Sequence, residues 1–299
     1  MRGIWTALIT PFNKKNEIDF LAFRRILQDQ KNAGISGVIP CGTTGESPTL
    51  TLKEKKELIT TALEVLCGTP VKVFAGTGTN NTSETLELSV WANQQGVDGL
   101  LIVTPYYNKP SQAGLEKHYL TIANAVTCEL MLYHVPGRTG VSLMPETIAR
   151  LAQHPQIRSL KDATGSLAFA NEIMDLTMQK GVQLDLLSGD DVTFLPLLSI
   201  GAAGIVSVAS NLFPRAMVAL FHAVENGELE VARKIHHFYY PLFRDLFIES
   251  NPVPIKLAMS LSGWCSEYVR MPLTPLTPSS SDQLTHSLIR CNMNQGKSL

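Results

Sequence analysis

Eight short runs of β-branched and aliphatic residues recur along this chain, each followed by an amphipathic stretch, and no other feature limits the possible fold so strongly. The runs lie at 4–9, 37–41, 71–75, 99–103, 129–133, 157–161, 184–188 and 204–208. Helix-like segments at 20–34, 51–66, 82–96, 114–126, 145–153 and 167–181 separate them, with a shorter, more apolar one at 191–201. Thr51 with Glu54 forms a capping-box pattern, and Gly34, Gly96 and Gly181 stand where helices should stop. Strand–helix alternation at this spacing calls for parallel strands joined by right-handed crossovers. Eight units in about 225 residues match a (β/α)8 barrel, which typically needs about 250. A doubly wound sheet competes, but it usually shows a glycine-rich dinucleotide turn after its first strand. "TPFNKKN" is no such turn, and "GTGTN" at 76–80 is a lone GxG. After residue 225 the strands stop and helices continue. The barrel is therefore expected over 1–225 and an all-helical C-terminal region over 226–299, with a polar tail, "CNMNQGKSL", expected to fray.

Composition narrows the setting. The chain has 299 residues, 44% hydrophobic and 17% charged, enough for one large core. A formal net charge of -1 gives no electrostatic reason to expect nucleic acid or an anionic membrane as partner. "MRGIWTALITPFN" reads as a first strand ended by Pro11 and not as a signal peptide. No stretch offers about 18 uninterrupted apolar residues, so no membrane span is expected. Five cysteines without CxxC spacing suit buried thiols in a reducing compartment better than disulfides or a metal site. A cytoplasmic globular protein is the expectation.

Barrel enzymes place their reactive groups at the C-terminal ends of the strands. Those ends here read "CGTTGE", "TPYYN", "YHVPGRTG", "KDATG" and "SGDD". If Leu160 packs outward on the helices, Ser159 and Lys161 point into the barrel. By the same alternation Met131 and Tyr133 point inward, so Lys161 and Tyr133 share one rim on adjacent strands. A lysine held away from bulk water is favoured as the free amine, a nucleophile that condenses with carbonyls to a Schiff base. The attendant proton transfers need an acid/base neighbour, and a phenol serves. The bland alternative is a strand-end lysine, solvated or paired with Asp162.

Each neighbouring motif has a plain reading too. "GTTGE" is a possible backbone nest for a carboxylate or an ordinary glycine-rich turn. Arg138 in "PGRTG" clamps a second carboxylate or is a surface arginine. Cys41 has no histidine in its motif and reads as a buried strand thiol. His134 should face away from the barrel as a packing residue. His236–His237 lacks a third ligand and reads as surface or interface, and "HHFYYPLF" as core or subunit contact.

Taken together, "GTTGESPTL", "AGTGTNNTSE", "TPYYNKPSQAGL", "YHVPGRTG", "KDATG", "LLSGDD", "NPVPIK" and "RMPLTP" make the chain resemble the dihydrodipicolinate synthase family, within the pyruvate-dependent class I aldolases. The resemblance runs from residue 4 to about residue 278. It implies a barrel with a C-terminal helical region, assembled as a homotetramer from two tight dimers. It also implies a lyase that condenses pyruvate with L-aspartate 4-semialdehyde, the first committed step toward diaminopimelate and lysine. No cofactor and no metal are implied, since the covalent Schiff base forms on Lys161.

Under this resemblance Thr43, Tyr133 and Tyr107 form a proton relay, with Tyr107 reaching into a neighbouring subunit's site. Thr44, with the Thr43–Thr44 backbone, holds the pyruvate carboxylate, and Arg138 holds that of the semialdehyde. Gly189 and Val206 line the site. His134 stands where asparagine is common in the family, Asp162 where glutamate is, and Val206 where isoleucine is. Sister aldolases of the N-acetylneuraminate lyase and 2-keto-3-deoxy sugar acid types share the lysine and tyrosine. "GTTGE" with "PGRTG" favours the synthase over them. A barrel that only binds a keto acid would be expected to have lost Lys161 or Tyr133.

Members of the family inhibited by free lysine bind it in a pocket that Ser47, Asn80, Glu84 and Tyr106 match here. Where those members often carry small, His and His residues, this chain has Pro48, Leu52 and Lys55. Leu52 offers no hydrogen bond, and a Lys55 ammonium would compete with the ligand's own for Glu84. Two like charges about 4 Å apart repel by roughly 1 to 4 kcal/mol, according to the effective dielectric. A Lys55 that swings into solvent on its flexible stem would leave the pocket working. Weak or no inhibition by lysine is expected. Initial rates against lysine at saturating pyruvate check it, and half-inhibition at submillimolar lysine would overturn it.

Overall fold

The structure, a computed structural model, describes residues 1–293, so the end of the polar tail lies outside the described residues. Eight parallel strands close into a barrel in sequential order. They are β1 (Gly3–Ala7), β2 (Gly37–Ile39), β3 (Lys72–Gly76) and β4 (Gly99–Val103), then β5 (Glu129–His134), β6 (Ile157–Asp162), β7 (Asp185–Ser188) and β8 (Gly204–Ser207). The first helices are α1 (Phe20–Asn32), α2 (Leu52–Leu66), α3 (Thr82–Gln94) and α4 (Gln112–Ala123). A one-turn α5 (Pro136–Thr139) and α6 (Pro145–Leu151) come between β5 and β6, followed by α7 (Leu167–Gln179) and α8 (Phe194–Ser199). The chain ends in α9 (Pro214–Glu225), α10 (Leu229–Asp245), α11 (Val253–Leu261) and α12 (Pro278–Met293). None of the described helices is long and apolar enough to cross a membrane.

Two compact units make up the chain. One comprises Met1–Gly3 with Lys72–Val206, the other Ile4–Val71 with the chain from Ser207 onward. In the first unit, β3 through β8 pair in parallel, with one register shift between Leu130 and Met131 where β5 meets β6, and beyond that shift the alternation read from the sequence holds. Leu130, Leu132 and Leu160 are wholly buried on the outward face. Each contributes about 1.5–3 kcal/mol by leaving water. On the inward face Phe74 of β3 lies beside Gly99 of β4, where an added Cβ would come within 2.4 Å of the Phe74 ring. The glycine that opens β4 is thus the space the phenyl ring fills.

Side-chain caps start the helices of this unit. Ser111 accepts from Gly114 N–H ahead of α4, and Ser166 from Phe169 N–H ahead of α7. In the second unit the capping box on α2 is complete, with Thr51 and Glu54 each bonded to the other's backbone. Gly34, Gly96 and Gly181 do end helices, all at positive φ.

Four local features add to or depart from the sequence reading. The strand expected over 37–41 ends at Ile39, because Cys41 takes φ 61 and the chain turns. Ser47–Thr49 forms a 3-10 turn, with Pro48 supplying its fixed φ. "PGRT" is helical and not a loop, since Pro136 starts it and Gly140 stops it in the left-handed region. His236 is not a surface residue. It is buried against Tyr240 and Phe243, while His237 is exposed.

The second unit is cross-linked by Arg270, whose guanidinium donates bidentately to Glu54 and to the carbonyl oxygens of Thr49 and Asn16. Those hydrogen bonds hold the Glu54 carboxyl at about 2, far below its ordinary 4.5. A carboxylate with a depressed value stabilises the fold fully above pH 4.5, and that contribution disappears as pH falls toward 2. Glu54→Gln should therefore cost about 1 kcal/mol at neutral pH, allowing for solvent screening. The gap from the parent should close below pH 3. Denaturant midpoints of both proteins across pH 2–7 measure this, and a gap that stays constant would refute it.

Candidate active site

β5 and β6 present the reactive pair. Their register sets Tyr133 opposite Lys161 and His134 opposite Asp162. Neighbours in register on parallel strands share a face, so Tyr133 and Lys161 point one way and the second pair points the other. Both members of the first pair are only 5% exposed. Lys161 Nζ lies 4.1 Å from the centroid of the Tyr133 ring. An amine and an aromatic phenol are thus held together out of bulk water, in the arrangement the alternation called for. The register continues through Leu187 of β7 to Gly204 of β8. Buried Val206 therefore falls on the Lys161 face, and Gly189 follows directly on the end of β7.

The turn after Lys161 is fixed from several sides. Asp162 accepts from the backbone N–H and the hydroxyl of Thr164, and Thr164 in turn accepts from Ser166 N–H. Ala163 N–H donates to His134 O, and Gly189 N–H donates to Asp162 O at 2.6 Å. An added Cβ at Gly189 would meet the Ala163 methyl at 2.8 Å, so only glycine lets β7 approach this closely. On β4 and β5, Thr104 donates from its amide and its hydroxyl to Tyr133 O. Lys161 and Tyr133 are consequently placed by backbone that has little freedom to move.

Behind them, His134 packs against Phe169, as its outward position implied. Leu143 N–H donates to His134 Nε2, which places the ring proton on Nδ1, 3.7 Å from Asp162 Oδ1. Burial lowers His134 to about 4 and raises Asp162 to about 6. At neutral pH the imidazole is uncharged.

Tyr107 is the exposed counterpoint. It is 88% exposed and takes φ 71, a conformation a large side chain rarely adopts and one that costs about 1–3 kcal/mol. Its amide donates to Thr139 O, tying it to the helical turn on which Arg138 stands exposed. Asn108 donates to Asn80 O, and Tyr106 is raised by burial while bonded to the Asn80 backbone near Glu84. Asn80, Glu84 and Tyr106 therefore do come together. Ser47 opens the 3-10 turn in the other unit.

In the second unit, "GTTGE" folds back on itself. The amides of Gly45 and Ser47 donate to Gly42 O, and that of Glu46 to Thr43 O. Thr10 Oγ1 donates to Gly45 O. The amides of Thr43 and Thr44 are the turn's candidates for holding a carboxylate. Thr44 is buried, and its hydroxyl oxygen accepts from Asn251 Nδ2 at 2.9 Å. Asn251, Glu46 and Lys256 escape a reading of the motifs as chemistry. Glu46 closes "GTTGE" and the other two stand in "NPVPIK", but nothing local joins those two segments.

Cys41 is buried, its thiol pushed up to about 12, which removes it as a nucleophile. Among the described residues no group of three or more His, Cys, Asp or Glu side chains is arranged to hold a metal ion.

Comparison with known proteins places this geometry. The profile of the Dihydrodipicolinate synthetase family matches residues 1–290. A 4-hydroxy-tetrahydrodipicolinate synthase of Leptospira biflexa is 48% identical over 282 residues, covering 94% of each chain. Among solved structures, the 4-hydroxy-tetrahydrodipicolinate synthase of the thermoacidophilic methanotroph Methylacidiphilum fumariolicum SolV superposes with a TM-score of 0.95 at 42% identity, over 99% of this chain and 98% of that one. The enzyme from Cyanidioschyzon merolae, solved with lysine bound, superposes at 0.93 with 39% identity over 98% of both chains.

Proposed function

The chain belongs to the dihydrodipicolinate synthetase family, and on that premise we propose that it condenses pyruvate with L-aspartate 4-semialdehyde to 4-hydroxy-tetrahydrodipicolinate. The observation that carries the reading is the buried pair itself, Lys161 Nζ 4.1 Å from the Tyr133 ring. The Lys161 amine adds to the keto carbon of pyruvate, and loss of water gives the imine. A methyl proton leaves to form the enamine, whose carbon attacks the aldehyde of the second substrate. The amine of that substrate then displaces Lys161 and closes the ring, returning the free lysine. No cofactor enters this scheme.

Each step moves a proton, and Tyr133, Thr43 and Tyr107 are the proposed relay. Thr44 and the Thr43–Thr44 amides hold the pyruvate carboxylate, and Arg138 that of the semialdehyde. Gly189 and Val206 line the site. Tyr107 acts in the site of a second subunit, within a tetramer built as a dimer of dimers. Its 88% exposure and its strained backbone support that role, since a ring so presented has its surface free for another chain. Asn80, Glu84, Tyr106 and Ser47 are a vestigial lysine pocket. A cytoplasmic setting suits an enzyme of amino-acid biosynthesis. A sugar-acid or N-acetylneuraminate aldolase would use the same lysine and tyrosine, and "GTTGE" with Arg138 favours the synthase over it.

Borohydride with pyruvate should add mass to the peptide carrying Lys161, and Lys161→Ala should lose nearly all turnover. The parent should turn over pyruvate with aspartate semialdehyde and not with N-acetylmannosamine. Trapping on another lysine, or the reverse substrate preference, would refute the assignment. Mixing inactive Tyr107→Phe with inactive Lys161→Ala subunits should restore part of the activity, because some sites then receive both intact residues. Verified mixed oligomers without recovery would show that each subunit uses its own tyrosine.

A further inference from the structure

The "GTTGE" turn is held from behind by a segment more than two hundred positions away in sequence. Glu46 takes φ 56, unusual for a residue with a side chain, and its carboxylate is wholly buried. One carboxylate oxygen accepts from Lys256 Nζ at 2.5 Å, the other from the Arg270 amide at 2.9 Å. Lys256, also wholly buried, donates to Tyr268 O at 2.6 Å and sits 4.1 Å from the centroid of the Phe12 ring. Burial lowers the Lys256 ammonium, and Glu46 opposes that shift.

A fully buried ion pair is a poor choice for stability alone, since apolar residues of the same volume commonly do as well or better. Here the pair is made by the one residue of the turn whose backbone stands at positive φ, Glu46. The same short segment that carries Lys256 also carries Asn251, whose amide donates to the Thr44 hydroxyl. A hydroxyl whose oxygen accepts from one side has its own proton to give on the other.

We propose that Glu46 and Lys256 are positioning residues for binding of the keto acid. The buried pair locks the turn, and Asn251 then orients the Thr44 hydroxyl to donate to the substrate carboxylate. This rests on the reading of Thr44 as the holder of that carboxylate. A carboxylate is held alike in the ground state and the transition state, so loosening its holder raises KM for pyruvate more than it lowers kcat.

The test compares Lys256→Met, Glu46→Gln and the double variant Glu46→Gln/Lys256→Met with the parent, measuring pyruvate KM, kcat, melting temperature and borohydride trapping. The single variants leave a buried group without its partner and should melt lower. The double variant carries no unpaired charge and should regain most of the melting temperature. Its pyruvate KM should nevertheless stay raised by about tenfold, with kcat changed far less. If the double variant recovers both melting temperature and KM, the pair is structural only and the proposal fails. If Lys256→Met does not fold, the double variant still decides. A parent that traps no pyruvate would sink the keto-acid reading itself. A parent that traps it, beside a double variant of unchanged KM, would sink the positioning role alone.

Discussion

Everything this molecule is proposed to do depends on the register between two neighbouring strands. Tyr133 opposite Lys161 is a statement about backbone hydrogen bonds, yet it decides which side chains meet. In a parallel ladder a slip of one strand by one residue would turn its member of the pair onto the helices and bring His134 or Asp162 to the other face. The register is fastened on the C-terminal side of the reactive pair. Thr104 fastens the end of β5, and the bonds from Ala163 and Gly189 fasten the end of β6. Wholly buried Leu132 and Leu160 give the outward face a hydrophobic penalty for slipping.

The parts of the fold legible in the sequence are those governed by local period. Eight apolar runs, the capping box at Thr51 and the glycine stops all depend on residues close in sequence, and all survive in the structure. Lys161 and Tyr133 could be assigned to one rim because alternation along a strand is likewise local. What could not be read was set by distant partners. Glu46 and Lys256 look like two ordinary charged residues until the fold brings them to 2.5 Å. His236 carries the polarity of a surface residue, and only the packing of Tyr240 and Phe243 around it shows that it belongs to the core. The single turn at "PGRT" is too short for any period to reveal.

The candidate site follows the same division. Residues expected from the resemblance to a known family lie on turns and strand ends, such as Thr44 in its folded-back turn and Val206 on the Lys161 face. The residues that motif reading passed over are those that hold the others in place. Asn251 touches Thr44, Thr164 holds Asp162, and Leu143 fixes which nitrogen of His134 bears the proton. Chemistry-bearing groups announce themselves by type, whereas the groups that aim them are often amides and threonines with no distinctive spacing.

The pair on the reverse of the reactive strands has a consequence for how this chain can vary. His134 packs against Phe169 of α7, and its Nδ1 stands 3.7 Å from the Asp162 carboxylate, with both side chains out of water. A larger or a smaller side chain at either position would overfill or underfill that packing and press on the strands that carry Tyr133 and Lys161. A change at one of the two positions is therefore best met by a compensating change at the other, a limit set by the face turned away from the reactive pair.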